Sequence, residues 1–499
     1  MEFFHNLGLG FAVALSLQNV LYCFVGVLLG TLIGVLPGLG PVATIAMLLP
    51  ITFGLPPVAA LIMLAGIYYG AQYGGSTTAI LINLPGESSS VVTAIDGHQM
   101  ARKGRAGAAL ATAALGSFFA GTAATVLLAI LSPSLAEVAL AFGPPEYFSL
   151  MVLGLIASVT LASGSMIKAF GMIVLGLLLG LSGQDIYTGT PRLTFGLAEL
   201  ADGFDFVAVS MGMFGIGEVI RNLEDESKRS FLVTKVKSLL LTREESKRIL
   251  APVLRGTVLG SILGILPGGG AVLSSFASYS LEKKISKHPR EFGKGAIEGV
   301  AGPESANNAG AQTSFIPMLT LGIPSNPVMA LMIGAMIIQG ITPGPNVMSE
   351  KPELFWGLIA SMWIGNFMLV LLNLPLIGLW VRLLSVPYHL LFPAIVAFCC
   401  IGVYSVNNNL ADVYTMALFG VLGYVLVKLE CEPAPLLLGF VIGPMLEEYL
   451  RRAMLISRGD PMVFLTHPIS AALLAICAVA LVAVLVPAIR QTREEAFQE

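Results

Sequence analysis

A series of uninterrupted apolar runs constrains this chain more than any other feature. They lie at Val20–Leu36, Gly107–Leu131, Tyr147–Leu161, Ile167–Leu181, Leu354–Leu372 and Ile469–Ile489. A helix needs about 18–20 such residues to cross roughly 30 Å of hydrocarbon at about 1.5 Å per residue. The runs are continuous rather than alternating, which specifies helices and excludes a barrel. Only 11% of the 499 residues are charged, whereas a soluble domain carries about 25%. That leaves too little polar surface for a water-facing particle of this size. At this span length the chain accommodates about 10–12 transmembrane helices. The expected fold is an all-α polytopic membrane protein.

The few charges mark loops. Lys and Arg concentrate in Asp96–Arg105 (DGHQMARKGR), in Arg221–Arg255 and in Glu282–Lys294. Short basic loops stay on the cytoplasmic side. Four spans separate the first two loops, near 107–131, 134–161, 165–183 and 203–220. An even number returns the chain to the same side, so the assignments agree and Gln184–Asp205 is expected outside. The net charge of −3 gives no basic field for nucleic acid. Cys23, Cys399, Cys400, Cys431 and Cys477 lack CxxC spacing and read as small apolar fillers. The start, Met1–Gly10, has no basic stretch of the kind a signal peptide carries, so the first span is expected to be retained.

An internal repeat organises the rest. Residues 30–40 read GTLIGVLPGLG and residues 260–270 read GSILGILPGGG, identical at six of eleven positions. Each copy is followed by a second Gly-rich polar stretch ending in a Pro turn, at 70–90 and at 302–327. The chain thus divides into a first membrane repeat (1–220), a cytoplasmic linker (221–252), a second membrane repeat (253–489) and a polar tail (490–499). Internal repetition of this kind is the sequence pointer to a secondary-transporter fold.

Pro37 and Pro267 lack a donor N–H and clash with the preceding turn, and the adjoining glycines permit unusual backbone angles. Helices broken at membrane depth expose backbone groups, which are tolerated where they line a cavity. Half-helix N-termini favour anions, and unwound carbonyls favour Na⁺. The expected substrate-binding residues are Ser76, Thr77, Asn83, Ser88, Ser89 and Ser90 in the first half. Asn307, Asn308, Thr313, Ser314, Ser325 and Asn326 are their counterparts in the second. The expected Na⁺ ligands are the carbonyls of Gly38, Gly40, Gly268 and Gly270. Small residues in membrane helices also serve close packing, and for any one of them that reading is as good. The paired clusters favour function, because packing needs neither Pro-Gly breaks nor Ser-Ser-Ser and Asn-Asn runs. Glu87 and Glu304 lie within the clusters, either as cation ligands or as loop-edge carboxylates. Asp96 and His98 read as loop residues, and Trp356, Trp363 and Trp380 as interface anchors. No Walker-type, HExxH or triad pattern points to an enzyme. His389 and His467 lie in apolar surroundings without an evident acidic partner.

These residues resemble a known family, the large membrane subunit of tripartite tricarboxylate transporters (TctA family). The resemblance is carried by GVLPGLGPVATIAMLLPITFGLPP (34–57), YGAQYGGSTTAILINLPGESSSVVTAIDGHQMARKGRAGAAL (69–110) and TGTPRLTFG (188–196). GILPGGGAVLSSFASYSLEKK (264–284), GVAGPESANNAGAQTSFIPMLTLGIPSNPVMALMIGA (299–335) and ITPGPNV (341–347) extend it across most of the chain. It implies a symporter subunit of the bacterial inner membrane, multi-pass, with its two repeats related by inverted topology. It further implies a small four-helix membrane subunit and a periplasmic solute-binding protein as partners. The imported solute would be a small carboxylate, with uptake driven by a gradient, usually of Na⁺, and no other cofactor. The alternative is a stand-alone ion-coupled permease for organic anions without partner subunits.

Overall fold

A computed structural model describes residues 2–36, 39–84, 86–161, 165–185, 187–224, 239–266, 268, 270–383 and 388–485. The described chain is 81% helical. The first half contains α1 (Glu2–Ala14), α2 (Leu17–Gly34), α3 (Pro41–Leu48), α4 (Pro57–Ile82), α5 (Val91–Met100) and α6 (Ala106–Leu140). It continues with α7 (Pro144–Leu161), α8 (Met166–Gly180), α9 (Phe206–Ser210) and α10 (Gly217–Glu224). The second half opens with α11 (Arg243–Ile265), α12 (Gly270–Ile285), α13 (Glu298–Thr313), α14 (Phe315–Leu321), α15 (Pro327–Ile338), α16 (Asn346–Glu350) and α17 (Pro352–Asn373). It closes with α18 (Ile377–Leu383), α19 (Tyr388–Asn407), α20 (Leu410–Lys428), α21 (Pro433–Ile456), α22 (Val463–Thr466) and α23 (Pro468–Leu485). A single two-residue hairpin, β1 (Gly183–Gln184) with β2 (Pro191–Arg192), is the described sheet.

Six helical stretches are long and apolar enough to cross a membrane, and shorter apolar helices such as Pro41–Thr52 and Pro327–Ile338 accompany them. The fold is therefore that of a polytopic helical membrane protein. Four helical stretches separate the first two basic loops, as the spacing predicts, but one boundary moves. Helix α6 runs straight through Pro133 to Leu140, so 107–131 and the start of 134–161 are one helix. Helix α11 begins at Arg243, with a reciprocal Thr242–Glu245 cap, so the division between 252 and 253 falls inside a helix. Residues 225–238 of the linker and the tail 490–499 lie outside the described residues.

Close helix pairs hold the two halves in shape. Gly26, Gly30 and Gly34 stripe one face of α2, and a Cβ at each would come within 2.2–2.4 Å of the carbonyls of Met63, Ile67 and Ala71 on α4. Gly66, Gly70 and Gly74 answer from α4, with backbone atoms of α2 at 3.0, 2.5 and 2.6 Å from their ideal Cβ positions. In the second half Gly256, Gly260 and Gly264 of α11 meet the carbonyls of Gly302, Ala306 and Gly310 on α13 at 2.2–2.3 Å. The three stripe positions lie 230 residues apart between the halves, the same offset as the Pro-Gly motif. Lipid tails are as apolar as the helices, so backbone contact and dispersion replace the hydrophobic effect here. Helix α4 is buried on every face from Ala59 to Ile82, which puts it at the centre of the molecule.

Two expected interface anchors are instead packing residues. Trp356 and Trp380 are each 1% exposed; Trp356 meets Phe3 and Phe355 edge-on, and the Trp380 ring nitrogen donates to Leu372 O at 3.0 Å. The Trp380 indole N–H finds an internal partner, so its burial is tolerated. All five cysteines are free, with Cys23, Cys399 and Cys477 buried.

Gly30→Ala and Gly260→Ala should each lower stability by about 1–3 kcal/mol through overpacking. Gly8→Ala, where a Cβ meets nothing within 4 Å, should leave it unchanged. Thermal unfolding in detergent, followed by size-exclusion chromatography, checks the contrast.

Candidate functional site

Both halves interrupt their helices at matching places. Helix α2 stops at Gly34 and α3 restarts after Gly40; α11 stops at Ile265 and α12 restarts at Gly270. Gly38, like both motif prolines, lies outside the described residues. The second interruption is a turn. Helix α4 ends on Asn83 with φ 57°, and α14 ends on Gly322 with φ 70°, both left-handed caps. In the first half Glu87 then caps the short turn Ser88–Ser90 that leads into α5; in the second, Asn326 caps α15 by accepting from Met329 N–H at 3.0 Å. The break lies against the turn in both cases. A Cβ on Gly40 would sit 3.6 Å from Gly86 O and 3.8 Å from Glu87 Cβ; one on Gly270 would sit 3.1 Å from Asn326 Nδ2. Gly268 N–H donates to Ser325 O at 2.7 Å, tying the second break to its turn.

The halves meet along α4 and α13. Gln72 Nε2 donates to Asn307 Oδ1 at 3.0 Å, and Asn307 Nδ2 donates to Glu87 Oε1 at 3.1 Å. One turn along, the Ser76 hydroxyl lies 2.9 and 2.8 Å from the two carboxylate oxygens of Glu304, which also receives the Thr93 hydroxyl. Asn308 Nδ2 reaches Ser117 Oγ at 2.6 Å and Glu304 O at 3.1 Å. Every member of this network is at most 8% exposed. Among the described residues, no Lys, Arg or His hydrogen-bonds or ion-pairs with Glu87 or Glu304. A cavity of about 20 Å³ adjoins Glu304, lined also by Tyr73, Ser76, Thr77, Ser117 and Asn373. That is room for about one water.

The expected ligands divide accordingly. Ser76, Asn307 and Asn308 join in the network, and Thr77 lines the cavity. Ser89 and Ser90 are buried at the start of α5, with Ser90 Oγ donating to Glu87 O at 2.9 Å. Ser314, Ser325 and Asn326 form a second group around the α14–α15 turn, where Asn326 Nδ2 donates to Ser314 Oγ at 3.0 Å. Thr313 is buried and donates to Ala309 O at 3.0 Å. Asn83 and Ser88 are exposed, Asn83 serving as the helix cap. Of the glycine carbonyls, Gly40 O accepts Thr44 N–H and its hydroxyl, both at 2.9 Å, and Gly270 O accepts the Ser274 hydroxyl at 2.7 Å.

Gln72, Thr93, Ser117 and Asn373 escaped sequence reasoning. Gln72 carries a legible signal, since it is the one side-chain amide in a 26-residue helix. Thr93, Ser117 and Asn373 carry none, because hydroxyls and amides that bond within helices look the same in sequence.

The sequence profile of the "Tripartite tricarboxylate transporter TctA family" matches residues 20–438. The chain belongs to the TctA family. It is thus a multi-pass membrane transporter subunit of a tripartite system, which works with other subunits. It is 68% identical over 499 residues, all of this chain and 99% of the relative, to an "Uncharacterized 52.8 kDa protein in TAR-I ttuC' 3'region" of Agrobacterium vitis. A second protein of that organism, "Uncharacterized protein in TAR-II ttuC' 3'region", is 68% identical over 240 residues, 48% of this chain and 99% of the relative. No solved structure matches.

The charges of this TctA-family chain other than Glu87 and Glu304 make their described pairs outside the network. Asp96, 0% exposed, accepts from Tyr279 OH at 2.9 Å and from the N–H groups of Gly295 and Ala296 at 2.7 and 2.8 Å. Arg105 pairs with Glu245, Arg248 with Glu291 and Glu298, and Arg255 with Glu282. All three basic segments therefore gather on one face. Arg192, in the TGTPR segment, forks onto Glu447 at 2.7 and 3.0 Å. Its neighbour Arg451 bonds Asp185, and with the Thr188 N–H holds that carboxyl well below the usual carboxylate range. His467 has an acidic partner after all, with Nδ1 2.9 Å from Glu146 Oε1, brought together from 321 residues apart.

Replacing Asn307 by Ala strands Gln72 Nε2 and Glu87 Oε1 together. A loss of about 1–3 kcal/mol for each stranded group is expected, against at most about 0.5 kcal/mol for exposed Ser88→Ala. Thermal melting of both variants in detergent measures the difference.

Proposed function

We propose that this chain is the large membrane subunit of a binding-protein-dependent secondary transporter that imports a small carboxylate by cation symport, with Na⁺ as the coupling ion. Its partners would be a small four-helix membrane subunit and a periplasmic solute-binding protein, in a bacterial inner membrane. The observation that carries this reading is the meeting of α4 and α13. Two helices from opposite halves share a buried network of amides and hydroxyls around the Glu87 and Glu304 carboxylates, flanked by interrupted helices on both sides.

Such a site suits an anion held without a fixed counter-charge. Hydroxyl and amide donors, with the N-terminal ends of α3, α5, α12 and α15 close by, supply partial positive charge. None of the expected ligands is basic, so a co-bound cation offsets what the dipoles cannot. In this conformation the cavity beside Glu304 is too small for an organic acid, so loading requires the two halves to part. Matching glycine stripes and matching break-to-turn contacts support a repeat architecture, and the inverted relation of the halves belongs to the same proposal. The basic face formed by Asp96–Arg105 and Glu282–Lys294 fits the cytoplasmic side.

Reconstituted with its partner subunits in vesicles, the chain should accumulate labelled carboxylate only with the binding protein outside and an inward Na⁺ gradient. Ser89→Trp and Asn308→Trp should each abolish uptake while leaving subunit assembly intact. Uptake that ignores the Na⁺ gradient would overturn the coupling, and normal uptake in both variants would overturn the placement of the site.

A further inference from the structure

Glu304 is a buried carboxylate with no opposite charge among its described partners. It stands two turns into α13 with 1% exposure. The groups on its carboxylate, the hydroxyls of Ser76 and Thr93, are neutral. A buried carboxylate held only by neutral donors remains costly, because desolvation is not repaid by an opposite charge. The polar groups beside it or its cavity come from four helices: Tyr73, Ser76 and Thr77 from α4, Thr93 from α5, Ser117 from α6, Asn373 from α17. Glu87 is reached through Asn307.

The cavity beside this carboxylate has oxygen-bearing side chains on one part of its wall and Ile80, Leu110, Leu374 and Ile377 on another. Asn373 lines it, 5% exposed. Its amide nitrogen is engaged, donating to Leu369 O at 2.9 Å, while its amide oxygen is buried without a hydrogen-bond partner. The Thr77 proton is directed to Tyr73 O at 3.1 Å, and Ser117 Oγ already accepts from Asn308, so both hydroxyls keep lone pairs available. A volume of about 20 Å³ admits one water-sized particle. One negative charge, several neutral oxygens and room for one small particle describe a seat for a hard monovalent cation.

We propose that this cavity is a Na⁺ site, with Glu304 as its charged ligand and Ser76, Thr77, Ser117 and Asn373 as neutral oxygen ligands. The proposal rests on the cation-coupled reading above and moves the ion away from the glycine carbonyls of the breaks. It also sets an order of events. The cation neutralises Glu304 first, and the anionic substrate then enters a site that no longer repels it.

Equilibrium binding of radiolabelled Na⁺ to the purified full chain in nanodiscs, without substrate or partner subunits, tests the site apart from transport. Wild type should bind saturably. Glu304→Gln should weaken binding by at least about tenfold, the scale of one lost charged ligand. Asn373→Ala, which removes a neutral group and keeps the carboxylate, should weaken it several-fold and carries the test if Glu304→Gln does not fold. Wild-type affinity in Asn373→Ala together with Glu304→Gln, or in Asn373→Ala alone if the charge variant is lost, overturns the site and leaves the coupling reading standing. Absence of Na⁺ binding to wild type, with carboxylate uptake still following a proton gradient, overturns the coupling reading as well.

Discussion

Everything in this molecule depends on backbone meeting backbone between α2 and α4 and between α11 and α13. Hydrophobic burial cannot drive helices together inside lipid, so association comes from contacts that only small residues allow. Three glycines on each of α2 and α11 bring the facing carbonyls to distances no side chain would permit. The same closeness fixes the interruptions. With α2 locked to α4, the chain leaving α2 after Gly34 lands against the Gly86–Glu87 turn, and the second half repeats the arrangement at Gly270 and Asn326. A third pair follows the rule, where Gly176 and Gly180 of α8 meet the carbonyls of Leu436 and Phe440 on α21.

Charge is sorted as strictly as shape. Arg105, Arg248 and Arg255 pair with carboxylates around the basic loops, and Arg192 and Arg451 do so beside the small β-hairpin. The α4–α13 network, by contrast, contains carboxylates, amides and hydroxyls. Under the proposed function, fixed cations there would hold an anion in every conformation, whereas neutral donors with a mobile cation would let the attraction come and go.

Fold class was legible because span length is an additive property of the sequence, read from runs such as Gly107–Leu131 without knowledge of contacts. The breaks were legible for the opposite reason: Pro and Gly act locally, so the helix stops near Gly34 and Ile265 follow from a few adjacent residues. Asn307 and Asn308 were found because adjacent amides stand out in the Gly-rich polar stretch that follows the second break. Partners themselves were not legible. Gln72 meets Asn307 across 235 residues, and His467 meets Glu146 across 321, distances at which sequence carries no signal for a single chain. Burial misled in the case of Trp356 and Trp380, since an indole is equally at home at a membrane surface and inside a bundle, packed on other rings like Trp356 or with its N–H on a carbonyl like Trp380. The run through Pro133 hid a single long helix, because the missing hydrogen bond is absorbed without a break.

The cavity beside Glu304 bears on the pace of transport. A chamber with room for about one water, lined by Tyr73, Ile80, Leu110 and Leu374 among others, is smaller than any organic acid. Under the proposed function, cargo and ion could pass such a site only together with a change of shape, so transport would be paced by that change.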